Sequence, residues 1–308
     1  NEAEIQALEE IIRKEEPTLV VVDSIQTMYS ENLDSLPGSV GQIRDCSQRL
    51  LQLAKALGTT ILIIGHVTKE GILAGPRMLE HMVDTVLYLE GDERYDHRML
   101  RSVKNRFGAT HEIGVFRMSS AGLEEVTNPS RLFLQERLGD VSGTVIYPSL
   151  EGTRPILVEV QALVTPARFG TPQRTANGLD FRRVSMLLAV LEKRLQRPLG
   201  MRDVFVNIVG GLKIDDPAAD LAVIAAIVSS EQDRPVPEGM VLVGEVGLGG
   251  EVRNVTRLEQ RLREAQELGC TRALVPKRSS VKSRHFDRLQ LHPVLTVQEA
   301  LAQLFRDR

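Results

Sequence analysis

Apolar residues recur at helical spacing at the start of the chain, where Ile5, Leu8, Ile11 and Ile12 predict an amphipathic helix over 4–15. Pro17 ends it. Leu19-Val20-Val21-Val22 is an apolar run without alternation, the pattern of a strand buried on both faces of a parallel sheet, and it ends on Asp23. After a loop holding Pro37 and Gly38, residues Ile43, Leu50, Leu53, Ala54 and Leu57 predict a second helix over 43–57, with Gly58 as its C′ residue. Ile61 to Ile64 reads as a second buried strand and runs into Gly65-His66. Gly71, Gly75 and Pro76 mark a loop, and 84–90 reads as a third strand. Residues 99–104 and 113–118 read as an antiparallel pair joined through Asn105-Arg106-Phe107-Gly108. Strands alternating with helices argue for an α/β fold with a parallel sheet and an added hairpin.

The pattern changes near residue 135. Residues 142–164 are strand-rich, and 168–178 read as a loop. Val184, Leu187, Leu188, Leu191 and Leu195 give a long helix over 181–196. A strand over 203–209 precedes Asp216-Pro217, an N-cap with proline at the first helical position. Thr256-x-x-Glu259 and Thr296-x-x-Glu299 each read as a capping box opening a helix. Two domains follow, 1–134 and 135–308. Asn1 falls inside a charged helical pattern, so the chain is expected to be part of a longer protein.

Composition narrows the function classes. Hydrophobic residues make up 42% and charged residues 26%, enough for a buried core and too apolar for a disordered chain. The longest apolar run, Leu221 to Val228, is far short of the roughly 18 residues of a membrane span. Two cysteines, Cys46 and Cys270, cannot build a cysteine zinc site and sit at apolar helical positions, which suits reduced thiols and a cytoplasmic location. Residues 1–134 carry 14 Lys+Arg against 20 Asp+Glu, whereas 135–308 carry 24 against 21.

Four places hold candidate chemistry. Asp23 at the carboxyl end of a parallel strand sits where open α/β sheets bind ligands, and it suits Mg²⁺ held through water beside phosphates; a buried strand that simply ends in an aspartate is the commoner reading of the pattern alone. His66 ends the neighbouring strand and is placed to sense a nucleotide; a histidine that only caps a loop fits the pattern as well. Lys104 and Arg106, at i and i+2 of an extended segment, point the same way and can reach one anion, with a buried Phe107 and Gly108 fixing the turn. A solvated basic hairpin is the plainer reading. Residues 168–202 hold eight cations, among them Arg168, Arg174, Arg182 and Arg183, against two anions, a face suited to nucleic-acid phosphates; a solvated helix surface fits the charge equally well.

Together these motifs resemble a known family. Val22-Asp23-Ser24-Ile25-Gln26-Thr27, the 65–71 and 74–77 segments, Leu79 to Asp84 and above all Lys104-Asn105-Arg106-Phe107-Gly108 are similar to the bacterial RadA (Sms) DNA repair and recombination ATPases. The resemblance implies a RecA-like core followed by a domain similar to the Lon protease domain, of the ribosomal protein S5 domain 2-like class. It implies a homohexameric DnaB-type ring on single-stranded DNA that promotes branch migration with a RecA-type recombinase. Asp23 would position Mg²⁺ for ATP, His66 would sense it, and Lys104 with Arg106 would complete the neighbouring subunit's site. Lys69 and Arg77 would contact DNA. Two family features are absent from the sequence: there is no G-x-x-x-x-G-K-[ST] loop, and no four-cysteine zinc module, so zinc is expected only outside this chain. The chain alone is therefore expected to be inactive as an ATPase. The Lon nucleophile position reads Ala218 and the Lon lysine position Glu259, so no Ser-Lys peptidase is expected.

Overall fold

A computed structural model describes residues 2–66, 74–91, 96–108, 110, 112–135, 137, 139–167 and 170–305, with the backbone alone for 74–77. The chain divides into two compact units, Asn1–Tyr88 with Ser102–Thr110, and Leu89–Arg101 with His111–Arg308.

In the first unit, α1 (Ile5–Glu15) starts where the Glu4 carboxylate accepts from the Gln6 and Ala7 N–H groups. It leads into β1 (Leu19–Asp23), then α2 (Val40–Leu57), then β2 (Thr60–Ile64). Gly58 closes α2 in the left-handed region, φ +71°, donating to Ala54 O, as its position predicts. β1 and β2 pair in parallel with Asp23 opposite Ile64. Ile5, Val22, Ile25, Met28, Ile43, Cys46, Leu50 and Leu79 form the core against one face of this sheet. The expectation of burial on both faces fails for this chain. Leu19 is 55% and Val21 54% exposed, because both helices pack on the side of Val20 and Val22.

α3 (Ala74–Met82) is a helix where the sequence reads as a loop. Gly75 and Pro76 fall in its first turn, where proline's missing N–H costs nothing. β3 (Thr85–Gly91), β4 (His97–Asn105), β5 (Ile113–Ser119) and β6 (Gly122–Glu125) form a four-stranded sheet in that order, and β3 and β4 each carry residues of both units.

In the second unit, α4 (Pro129–Leu134) precedes β7 (Thr144–Glu151), β8 (Arg154–Pro166), β9 (Arg174–Asn177), α5 (Phe181–Leu195) and β10 (Arg202–Ile208). α6 (Asp220–Gln232), β11 (Met240–Leu242), β12 (Glu245–Val246), β13 (Val252–Arg253), α7 (Leu258–Glu267), β14 (Arg272–Pro276), β15 (Gln290–Val294) and α8 (Val297–Leu304) complete it. Seven strands make one mixed sheet in the order β15-β14-β11-β7-β8-β10-β9. β9 lies in the stretch expected as a loop; it is a four-residue edge strand without an apolar pattern. α6 is buried on every side from Asp220 to Ser229 and forms the centre of the core with β7, β8 and β10.

The two capping boxes part company. Thr296 Oγ1 accepts from Glu299 N–H at 3.2 Å and Glu299 returns a bond to Leu295 N–H. Thr256 makes none, because α7 starts at Leu258 behind Arg257 at φ +52°, and Glu259 turns instead to Arg263 at 2.6 Å.

Candidate functional site

β1 and β2 run parallel, so their carboxyl ends share one edge, and that edge carries Asp23 and His66. Both side chains are exposed there. A short 3₁₀ turn follows β1, and its Gln26 donates Nε2 to His66 O at 3.1 Å, tying the two strand ends together. The Asp23–Ser24 peptide is cis. Among the described residues no group of three or more His, Cys, Asp or Glu side chains could hold a metal directly. One free carboxylate fits a Mg²⁺ that reaches the protein through water.

The 104–108 turn lies beside the end of α3. Lys104 Nζ donates to Glu80 O at 2.6 Å and Val83 O at 2.7 Å, with His81 O at 3.4 Å. These are the orphan carbonyls of a helix terminus, so the ammonium acts as a C-cap. Arg106 N–H donates to Asp84 O at 3.1 Å, and its guanidinium meets Asp84 Oδ1 at 2.9 Å. The two cations do face the same segment, 80–84, and each is occupied within the chain. Arg106 stays 55% exposed and Asp84 40%. Phe107 departs from expectation: it is 85% exposed, because Asn105 shapes the turn by accepting from Phe107 N–H at 3.1 Å.

The basic segment is largely spoken for. Arg183 pairs bidentately with buried Asp220, Nε to Oδ1 at 2.9 Å, so it is not an open phosphate contact. Arg174 lies 3.6 Å from Glu192. Arg182 is exposed with no side-chain partner among the described residues. Lys69 and Arg168 lie outside the described residues, and Arg77 is described by its backbone in α3.

In the second unit Ala218, expected at the Lon nucleophile position, is 1% exposed, and Glu259 is a half-exposed partner of Arg263. Between them the chain has built a buried polar network that sequence reading misses. Arg261, 1% exposed, donates to Thr256 O at 3.1 Å, Tyr147 Oη and Pro148 O at 2.9 Å each, and Asp216. Burial pushes the Tyr147 phenol well above its ordinary value. Asp220 is also raised, since burial outweighs the Arg183 bond and the Val246 N–H bond that oppose it. Arg261 shares the buried face of α7 with Leu258, Leu262 and Ala265, and a cation in an apolar phase is the signal available in the sequence. A cleft of about 940 Å³, lined by residues such as Arg117, Asn128, Arg131, Leu134 and Leu268, includes none of the sequence-predicted site residues.

Residues 172–307 match the Lon protease (S16) C-terminal proteolytic domain. Three curated relatives carry the name DNA repair protein RadA. That of Streptococcus pneumoniae is 51% identical over 304 residues, covering 99% of this chain and 72% of the relative. That of Bacillus subtilis is 52% identical over 276 residues, covering 90% and 60%. That of Halalkalibacterium halodurans is 47% identical over 300 residues, covering 97% and 66%. The chain thus spans between 60% and 72% of these relatives' lengths. Identity near one half over 90% or more of the chain places it in the RadA family of DNA repair proteins.

Proposed function

We propose that this chain is the greater part of an ATP-driven DNA repair motor, a RecA-like half joined to a Lon-like domain that scaffolds a hexameric DnaB-type ring. The observation that carries it is the shared strand edge holding Asp23 and His66, tied through Gln26, where open parallel sheets bind their ligands. ATP is the substrate. Mg²⁺ bound with it would neutralise phosphate charge. Asp23 would hold that ion through water, His66 lies just past the end of the next strand, and Gln26 ties the two strand ends together. Arg106, in a weak surface pair, can exchange Asp84 for a phosphate of the adjoining subunit. Lys104 steadies the turn that presents it. Single-stranded DNA is the track, met by Arg182 and by Lys69, Arg77, Arg168 and Arg174, and a RecA-type recombinase is the partner in branch migration. The cytoplasm suits two buried free thiols.

A second reading covers this chain by itself, a non-enzymatic assembly and DNA-binding scaffold. It is favoured by the sequence, which holds no G-x-x-x-x-G-K-[ST] loop, and by the buried Ala218. ATP turnover separates the two. The full-length protein should hydrolyse ATP and lose turnover with Arg106→Ala, recovering it in rings mixed with a subunit whose own phosphate loop is disabled. This chain alone should show no turnover. Unchanged turnover in the Arg106→Ala protein would remove the motor reading.

A further inference from the structure

His66 lies two residues past the last pair of the β1–β2 ladder, which ends with Asp23 opposite Ile64. Its imidazole is exposed. Among the described residues one hydrogen bond holds it, from Gln26 Nε2 to the His66 carbonyl at 3.1 Å. Without that bond the ladder would reach His66 only through Gly65, the residue type with the widest choice of backbone conformations. Gln26 is itself fixed. Its turn is closed by Thr27, whose hydroxyl and N–H both donate to Ser24 O, at 2.8 and 3.1 Å. Ile25, the residue before it, is fully buried in the core of the first unit. Gly38, φ +79°, comes so close that a Cβ there would lie 3.2 Å from Gln26 O. The Gln26 side-chain oxygen is enclosed and has no partner among the described residues. An enclosed acceptor left unpaired costs stability and calls for an explanation. The bond made by the other half of the same carboxamide supplies one.

We propose that Gln26 is a positioning residue for ATP hydrolysis that acts through His66. Its amide N–H fixes where the imidazole meets the terminal phosphate, and so sets the rate of the chemical step and leaves the affinity for ATP alone. The inference rests on the motor reading of Asp23 and His66 and adds the residue on which their relative placement depends. An imidazole N–H aimed at a phosphate oxygen helps most where charge develops in the transition state. Moving such a group by about 1 Å costs on the order of a hundredfold in rate. Asp23 precedes Gln26 by three residues at the head of the same turn, so one side chain keeps the carboxylate and the imidazole in one geometry.

Steady-state ATP turnover by the full-length protein, binding of a fluorescent ATP analogue with Mg²⁺, and thermal melts test this. Gln26→Met keeps the shape and removes the donor, and Gln26→Glu sets a carboxylate oxygen against the His66 carbonyl. Each should lower kcat about tenfold or more, with KM and analogue affinity within about twofold of the parent. Gln26→Lys, which keeps an N–H donor, should recover part of the loss. In a His66→Ala protein, Gln26→Met should cost nothing further, because it acts through that residue. Should one of the two donor-free variants fail to fold, the other carries the test. Parental kcat in the folded donor-free variants would overturn the proposal, as would losses that multiply in the double variant, or a fall in melting temperature that accounts for the lost turnover. If His66→Ala lowers kcat while Gln26→Met and Gln26→Glu do not, the positioning role fails and the motor reading stands. If the parent shows no turnover, or His66→Ala leaves it intact, the motor reading of this strand edge fails and the positioning role falls with it.

Discussion

Lys104 and Arg106 are two residues apart and answer to different forces. Lys104 donates to carbonyls at the end of α3, at 2.6 and 2.7 Å, whereas Arg106 holds a solvent-exposed carboxylate. Removing the first takes a donor from backbone acceptors; removing the second frees two groups into water. Lys104→Met should therefore cost about 1–3 kcal/mol of stability, and Arg106→Ala no more than about 0.5 kcal/mol. Urea unfolding of the two variants checks this, and equal losses would contradict the division of roles. Arg261 is the other extreme. Its side chain is 1% exposed with every nitrogen bonded, and Arg261→Met would take the counter-charge from Asp216, leaving it the Tyr147 and Ala218 bonds, and the donor from two carbonyls, costing about 3 kcal/mol. Lys104 and Arg106 were legible from spacing alone, since extended geometry sends i and i+2 the same way. Phe107 was not, because an aromatic beside glycine in a turn looks like core until the Asn105 bond that turns it outward is seen.

At the scale of elements, contacts between neighbouring pieces decide what local pattern leaves open. α1 and α2 are joined by a bidentate pair, Arg49 Nε and Nη2 each 2.8 Å from a Glu9 oxygen. The Arg49 hydrogen bond holds the Glu9 carboxyl below its ordinary value despite partial burial. A carboxyl lowered in the folded chain stabilises it above the unfolded value, and that contribution disappears as pH falls through the folded one. Glu9→Gln should thus lower stability by about 1 kcal/mol at neutral pH. The gap between variant and parent should close in acid, read as melting temperature against pH; a gap constant with pH would rule the pair out. In the second unit Gly143, φ +83°, lies where a Cβ would be 2.2 Å from Ala162 O on the paired strand. Main chain cannot move aside as a side chain can, so Gly143→Ala should cost several times the roughly 1 kcal/mol of an ordinary glycine replacement, measured by denaturant midpoint. Helix periodicity located α1, α2 and α5 well, because their apolar stripes face a core. β9 and α3 escaped, one made by strand pairing without an apolar pattern and the other opened by a Gly-Pro that imitates a turn.

Across the whole molecule the two units differ in how much apolar surface they bury. The first rests on a small core, Ile5, Val22, Ile25 and a few neighbours, beneath a two-stranded sheet whose Leu19, Val21 and Leu62 are about half exposed. The second wraps a seven-stranded sheet around a helix buried on all sides, with Val145, Leu157, Leu188, Ile224 and Leu274 fully enclosed. The sequence forecast the parallel pairing of β1 and β2 and the apolar character of α6, but not the open face. An apolar run states that a strand can be buried, and only the neighbouring elements determine whether it is. Since hydrophobic stabilisation scales with area removed from water, and proteins open in cooperative units of unequal stability, the first unit should open before the second. Hydrogen exchange followed by mass spectrometry should show β1, β2 and α2 exchanging well before β7, β8, β10 and α6. Heating should give two transitions, the earlier one carrying the smaller enthalpy. Making the exposed face polar is the sharper form of the test: Leu19→Thr with Val21→Thr keeps β-propensity and removes apolar surface from water-facing positions only. In this chain that pair should reduce aggregation while leaving the lower transition nearly in place. A large drop in that transition would mean that Leu19 and Val21 already pack against something within the chain, and the uneven burial argued from the sheet would not hold.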